Sequence, residues 1–399
     1  MGTQKPVLVV GTGPVGCVTA LILSKAGVPV TILEAEDDLI MDMRGSTFHP
    51  PTLDMLDDLG VTPQMIEQGL ITPMLQYRDL DDGLIAEFDH GMLTDYTRHP
   101  YRLQCEQFKL TRIIVDMLAD YPDANLIFNA TVMEIDQSAD GVTATYETPD
   151  GTQSIEGSYL VGCDGSRSTV RKSQDITFEG FTYPEHFVTV STSLPVDSII
   201  PDMGGVAYIS HPDEWCALIH APQFWRFLFP TSLELSNEEV MKDDYLRMRM
   251  QRVAQADTDY PIEHRTIYNV NQRVAETYRK GRVLLAGDSA HVNNPLGGMG
   301  LNGGVHDAVN LAPKLISILQ EGGDEALLDQ YDRQRRPIAV EYVQQQTIRN
   351  KKMIEERDPA VRKKTYDELR AKAADKDQAI AVMLQTSMIN AVRKSDALE

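Results

Sequence analysis

Apolar and polar positions follow three rhythms along the chain. Residues 6–36, "PVLVVGTGPVGCVTALILSKAGVPVTILEAE", begin with a continuous apolar run at Val7–Val10 and pass through three glycines. A helical stretch follows, and a second apolar run stops at an acid, Glu34. An unbroken apolar run bounded by turn residues is the pattern of a strand buried on both faces, so the segment reads as strand, tight turn, helix, strand. Two later segments repeat the apolar-run-then-glycine design: residues 158–172, "SYLVGCDGSRSTVRK", and residues 281–304, "GRVLLAGDSAHVNNPLGGMGLNGG".

Between these segments the rhythm changes to short β-branched and aromatic runs broken by Pro, Asp and Gly. "HFVTVSTS" (186–193), "GGVAYIS" (204–210), "EWCALIH" (214–220) and "FWRFLFP" (224–230) predict successive antiparallel strands, and residues 76–97 predict a hairpin added to them. Along "EWCALIH", alternation puts His220 on one face with Cys216 and Leu218 and puts Trp215 and Ile219 on the other. After residue 345 the chain is rich in Ala, Glu, Lys and Leu, which predicts helices, two of them separated by Pro359. Three readings stay open for this tail: closing the back of a cavity, meeting a second copy in a homodimer or, most plainly, a surface helical cap. The expected fold class is α/β, a Rossmann-like domain with an inserted, mostly antiparallel sheet and a C-terminal helical segment. Residues 1–75, 98–178 and 279–345 form the first part, 76–97 and 179–278 the second, and 346–399 the third.

Composition narrows the functional classes. The 399 residues carry 59 acidic against 37 basic side chains, a formal charge of −22, which repels phosphate backbones and argues against nucleic-acid and membrane partners. No apolar run approaches the roughly 20 residues of a membrane span. Cys17, Cys105, Cys163 and Cys216 form no CxxC pair and have no histidine at ligand spacing, so reduced thiols, no metal and a cytoplasmic location are expected.

Gly11, Gly13 and Gly16 match GxGxxG. In such a turn the first glycine permits the bend, the second lets a pyrophosphate approach the backbone and the third lets helix and strand pack closely. Glu34 is placed for ribose hydroxyls. FAD and NAD share this unit, and the two later segments decide between them. An aspartate at a strand end, Asp164 and then Asp288, followed by glycines and a helix start, can grip a sugar-alcohol hydroxyl while backbone N–H groups meet phosphate or ring oxygens.

With GxGxxG, the mid-chain Asp164-Gly165 and the late Gly287-Asp288 in this order, residues 5–345 resemble the single-component flavoprotein monooxygenases that hydroxylate aromatic rings, the family of para-hydroxybenzoate hydroxylase. The resemblance implies tightly bound FAD, with its ADP part at Gly11, Gly13, Pro14, Val15, Gly16, Glu34 and Ala35. Asp164 and Arg167 would support the middle loop, and Gly287 and Asp288 would hold the ribityl chain. The backbone from Pro295 to Gly298 would lie along the isoalloxazine, with Gly300, Leu301 and Asn302 opening a helix toward it. Arg44, in "MRGSTFHPPTLD", and Gln104, in "YRLQCEQF", match segments that reach the flavin in that family; their plainer readings are a surface ion-pair partner and a polar helix-start residue. Asn293 and Asn294 either shape the pocket or cap a turn.

The implied reaction uses NADH or NADPH as a transient co-substrate and dioxygen as the oxidant. A flavin hydroperoxide would then hydroxylate a small phenolic or N-heteroaromatic compound, in aromatic catabolism. Such a site must exclude water and activate the ring. Tyr208, His211 and His220 on the inserted sheet are the candidates for activation, with Pro295 at the flavin face; for each, a structural role is the plainer reading. Arg226 reads first as a sheet-surface arginine and second as a partner for a substrate carboxylate. His291 reads as a residue that holds its loop. The alternatives are a non-catalytic FAD-fold binding protein, which would not need the late glycine-rich loop, and a ubiquinone-pathway hydroxylase, which calls for a membrane-facing apolar surface. A flavin-dependent halogenase is disfavoured because Trp215 and Trp225 stand in no WxWxIP setting.

Overall fold

The computed structural model describes residues 4–41, 45–232 and 234–399. A six-stranded sheet runs in the order Arg279–Lys280, Val283–Leu285, Tyr159–Gly162, Val7–Val10, Val30–Leu33, Ala124–Ile127, and every pair except the first is parallel. Helices Pro14–Lys25, Gln107–Leu118 and Met299–Ile316 supply Leu21, Ile114 and Leu311 to its core. A three-stranded antiparallel sheet, Thr131–Ser138, Gly141–Thr148 and Gly151–Gly157, adds Val132, Ile135, Val142 and Ala144 to the same core. Covered on both sides, the parallel strands are apolar throughout, which is why they read as unbroken runs in the sequence.

The eight-stranded sheet has the order His291–Val292, His264–Ala275, Phe178–Thr192, Trp225–Thr231, Cys216–His220, Val206–Ser210, Met74–Asp79, Gly83–Asp89. All its pairs are antiparallel except Val206–Ser210 with Met74–Asp79. The hairpin of residues 74–89 thus forms one edge, and a strand from the late glycine-rich segment forms the other. Alternation gives this sheet two characters. Cys216, Leu218, Phe227 and Phe229 pack on Leu246 and Met250 of helix Asp243–Val253. The opposite, inner face carries Tyr208, Ala217 and Leu228, paired directly across neighbouring strands.

A small sheet of Thr47–Phe48, Arg102–Gln104 and Leu70–Thr72 stands beside the two larger ones. Helices Pro359–Ala374, Lys376–Thr386 and Ile389–Asp396 cap the hairpin: Ala379, Met383 and Ile389 pack with Leu75, Tyr77 and Phe88. Asp79 fixes them there by accepting from the Tyr366 hydroxyl at 2.6 Å and pairing with Arg362. The tail is thus a helical cap on the hairpin edge of this sheet. Among the described residues no helix is long and apolar enough to cross a membrane, and no cluster of His, Cys, Asp and Glu could hold a metal ion.

Candidate active site

The three glycine-rich segments and the inner face of the eight-stranded sheet open onto one cavity of about 1310 Å3. That exceeds the roughly 300–1,000 Å3 of a pocket for one small ligand, and leaves room for a large cofactor beside a second molecule.

At the first segment the glycines differ in what surrounds them. Gly11 has φ +100°, and a Cβ there would stand 2.7 Å from the Cys163 carbonyl oxygen. A Cβ at Gly16 would collide with the Gly11 carbonyl. Gly13 has nothing within 4 Å of its missing Cβ, lines the cavity with Pro14 and Val15, and precedes helix Pro14–Lys25. Glu34 also lines the cavity, and Thr12 holds it: the Thr12 N–H and hydroxyl donate to Oε2 at 2.8 and 2.5 Å. Ala35 is exposed and outside the cavity wall, because the chain turns away once the strand ends.

Asp164 follows strand Tyr159–Gly162 and accepts from the Val170 N–H at 3.0 Å through Oδ2, while its buried Oδ1 has no partner. Burial raises its pKa. Arg167, next along, is exposed on the cavity wall. At the late segment Gly287 takes φ +66°, and its N–H donates to Asp307 Oδ2 at 3.0 Å. Asp307, on helix Met299–Ile316, also meets His291 Nε2 at 2.9 Å and Arg335 Nε at 2.8 Å. Burial alone would raise the Asp307 pKa, but its interactions with His291 and Arg335 outweigh it and hold it at about 2. His291 is thus an internal strut, and the turn it braces presents Asp288 to the cavity. Pro295, Gly298, Gly300 and Leu301 continue the wall.

The opposite wall is the inner face of the sheet. Val206 and Tyr208, Ala217 and Ile219, and Arg226 and Leu228 come from three adjacent strands in register. The alternation left open at "EWCALIH" resolves toward Ala217 and Ile219.

Several residues sit elsewhere than the sequence suggested. Gln104 is not on a helix start; it lies mid-sheet, fully buried, accepting from the Thr47 hydroxyl at 2.8 Å and donating to that of Thr72 at 3.3 Å. The cavity is reached from that segment by Arg102 and by Gln107, the first residue of helix Gln107–Leu118. Helix spacing after Glu106 could have pointed to Gln107; no local signal marks Arg102. His211 lies in a turn outside the cavity wall, its Nδ1 accepting from the Asp213 and Glu214 N–H groups at 3.1 Å each. His220 projects to the far face and stacks on Trp225 with ring centroids 4.2 Å apart, and burial lowers its pKa. Of the three activation candidates, only Tyr208 faces the cavity.

Asn302 contributes no free side chain: it accepts from the His49 N–H at 2.8 Å and donates to the Thr47 and Gly298 carbonyls. Arg226 is not a surface residue. It is 4% exposed, lines the cavity and meets Glu106 Oε1 at 3.5 Å. Asn293 lines the cavity, whereas Asn294 is fully buried and tied to Gln272 and Tyr183. Arg44 lies outside the described residues.

The donor set fits FAD. A bare helix start at Gly13 suits a pyrophosphate, Glu34 and Asp288 suit sugar hydroxyls, and the unpartnered Asp164 Oδ1 suits one more donor.

Comparison with known proteins agrees. The family described as FAD binding domain matches residues 4–346. Para-nitrophenol 4-monooxygenase of Pseudomonas sp. (strain WBC-3) is 34% identical over 385 residues, covering 95% of this chain and 94% of its own. The 6-hydroxy-3-succinoylpyridine 3-monooxygenase HspB of Pseudomonas putida (strain DSM 28022 / S16) is 30% identical, covering 86% and 87%. The crystal structure of p-nitrophenol 4-monooxygenase PnpA from Pseudomonas putida DLL-E4 superposes with a TM-score of 0.93 at 32% identity, over 98% of this chain and 99% of that one. Aklavinone-11 hydroxylase, solved with FAD and aklavinone, superposes with a TM-score of 0.79 at 26% identity, over 89% and 70%. The chain belongs to the FAD binding domain family, and within it is an FAD-dependent aromatic monooxygenase.

Proposed function

We propose that the protein hydroxylates a small phenol or hydroxylated N-heteroaromatic compound held between FAD and the inner face of the eight-stranded sheet, with NADH or NADPH as electron donor. The observation that carries this reading is the single cavity joining the three cofactor segments to that face. Gly13 and the helix it opens would take the pyrophosphate, Glu34 the ribose, and Asp288 the ribityl chain, with Asp164, Arg167 and Gln107 completing the cradle. FAD bound there supplies electron transfer from NAD(P)H and the activation of dioxygen.

The chain's own part is positioning, proton handling and water exclusion. Val206, Ala217, Ile219 and Leu228 make an apolar platform for an aromatic ring. Tyr208 is a hydrogen-bonding group on the same wall. Burial raises its pKa, so it stays protonated near neutrality and acts as a donor to a ring substituent. Para-nitrophenol and hydroxypyridines are the first substrates to try, since relatives named for such compounds cover nearly the whole chain.

The test is to follow NAD(P)H oxidation by the flavin-loaded protein with each candidate aromatic. Stimulated oxidation with hydroxylated product supports the reading. Purified protein that carries no flavin, or oxidation that yields only hydrogen peroxide for every aromatic tried, overturns it.

A further inference from the structure

The buried arginines of this protein differ in their counter-charges. Arg226 meets Glu106, Arg249 pairs with Glu214 and Arg335 with Asp307. Arg78 and Arg171 sit in the fields of Glu87, Asp202 and Asp164. Arg102 is 2% exposed, borders the cavity, and has no carboxylate within ion-pair distance among the described residues. Its Nε is buried without a hydrogen-bond partner, and its Nη2 donates at 3.4 Å to the Thr386 carbonyl, at the C-terminal end of a tail helix.

Four titratable groups that feel the charge of Arg102 are themselves neutral. Burial first and Arg102 second lower His49 and His90, so both are neutral. Burial raises Tyr77 and Tyr208, so both keep their protons. The Thr386 carbonyl at a helix end and the Tyr208 hydroxyl are neutral partners, and neither balances the charge of a buried guanidinium. The cavity that Arg102 borders offers a full negative charge a way to it. The Tyr208 hydroxyl stands at the same spot, close to Arg102 and the Gly297 N–H, on the wall that takes the aromatic ring.

We infer that Arg102 is the seat of the ionised phenolic oxygen of the substrate, so that the site selects the aryl oxyanion over the neutral phenol. A ring bearing O− is the electron-rich form that an electrophilic oxygen attacks, and a fixed cation holds it in that form without a basic side chain. The tail helix ending at Thr386 orients Arg102 from behind, which links the C-terminal segment to substrate binding. This inference rests on the reading of the cavity as the substrate site.

The probe is 4-nitrophenol, whose anion is yellow and whose neutral form is not, titrated with pH on the FAD-loaded protein without NAD(P)H. Bound to the unmodified protein it should ionise at lower pH than free in solution. In Arg102→Gln its bound pKa should rise by about one to three pH units, the usual effect of one adjacent opposite charge. Arg102→Lys should restore part of the fall, and flavin content should be equal in all three. An unmodified protein that binds 4-nitrophenol with no fall in its pKa overturns the assignment without recourse to a variant. So does an Arg102→Gln protein in which the bound probe still ionises early, or one that loses its flavin, since Arg102 would then serve the cofactor. Turnover is not read in this experiment, so a protein that ionises the probe early but hydroxylates nothing counts against the proposed function and not against Arg102.

Discussion

Arg171 donates from Nη1 to the Ser289 carbonyl at 2.8 Å, joining the middle glycine-rich loop to the late one. Its other guanidinium nitrogen holds the Ser166 carbonyl at 3.0 Å, and the group lies 3.9 Å over the Phe178 ring. The two aspartates that face the cavity, Asp164 and Asp288, are therefore set relative to each other by a residue that is itself outside the cavity wall. Arg171→Ala should weaken FAD binding at least tenfold, measured as flavin retained after desalting, because buried charge-assisted bonds contribute about 1.5–3 kcal/mol each. Unchanged retention would show that the loops hold their spacing without it.

The three glycines of the first turn should fail in different ways. Gly16→Ala places a Cβ against the Gly11 carbonyl and should lower the melting temperature of the flavin-free protein. Gly13→Ala meets no protein atom and keeps an allowed backbone, φ −63°, so the fold should survive while FAD affinity falls. Equal melting temperatures for the two variants would contradict this division of roles.

Asp288 faces the cavity from a turn whose bracing runs through Gly287, His291 and Asp307. Asp288→Ala should give folded protein that retains little FAD. Full flavin occupancy, read from the absorbance ratio of flavin to protein, would refute the ribityl assignment.

Acid should destabilise the protein in two windows. Burial, then nearby Arg102 for His90 and nearby Arg335 for His306, lower both histidines to about 3. The unfolded chain takes up these protons near pH 6.5 and the native one does not, so stability falls as pH drops from about 6.5 toward 3. Each histidine contributes up to about 1.4 kcal/mol per pH unit. Asp307, held at about 2 against an ordinary 3.8, adds about 2 kcal/mol that is present above pH 4 and lost as pH falls toward 2. Urea midpoints measured between pH 7.5 and 4.5 should therefore decline, and His306→Gln should flatten the decline. A midpoint independent of pH would contradict the neutral burial of these rings.

Tyr366 and Arg362 fix the tail to Asp79, whose second oxygen accepts the Asp81 and Asp82 N–H groups at 2.9 and 3.1 Å. Tyr366→Phe removes one bond from a buried carboxylate that keeps its other partners. It should cost about 1 kcal/mol in urea unfolding without changing flavin content.

What could be read from the sequence follows from how local each determinant is. Gly13, Glu34 and Asp288 stand in short sequence patterns at the ends of apolar runs, and each lines the cavity. Gln104 and Gln107 differ by less than one helical turn, and only the position where strand gives way to helix decides which one reaches the cavity. Arg226 reads as a surface residue until Glu106, more than a hundred positions earlier, is brought against it. His211 and His220 carry suitable chemistry on the right sheet, but one falls in a turn and the other on the far face. Arg102 depends on four neutral neighbours and on a helix end almost three hundred residues away. No window of sequence contains that relationship.

The alternation along the inserted strands separates two kinds of inheritance. Ala217 and Ile219 look into the cavity, while Cys216 and Leu218 between them are packed against the helix behind. Every second residue of these strands can therefore be exchanged to fit a different ring while the residues in between keep the sheet packed on its helix.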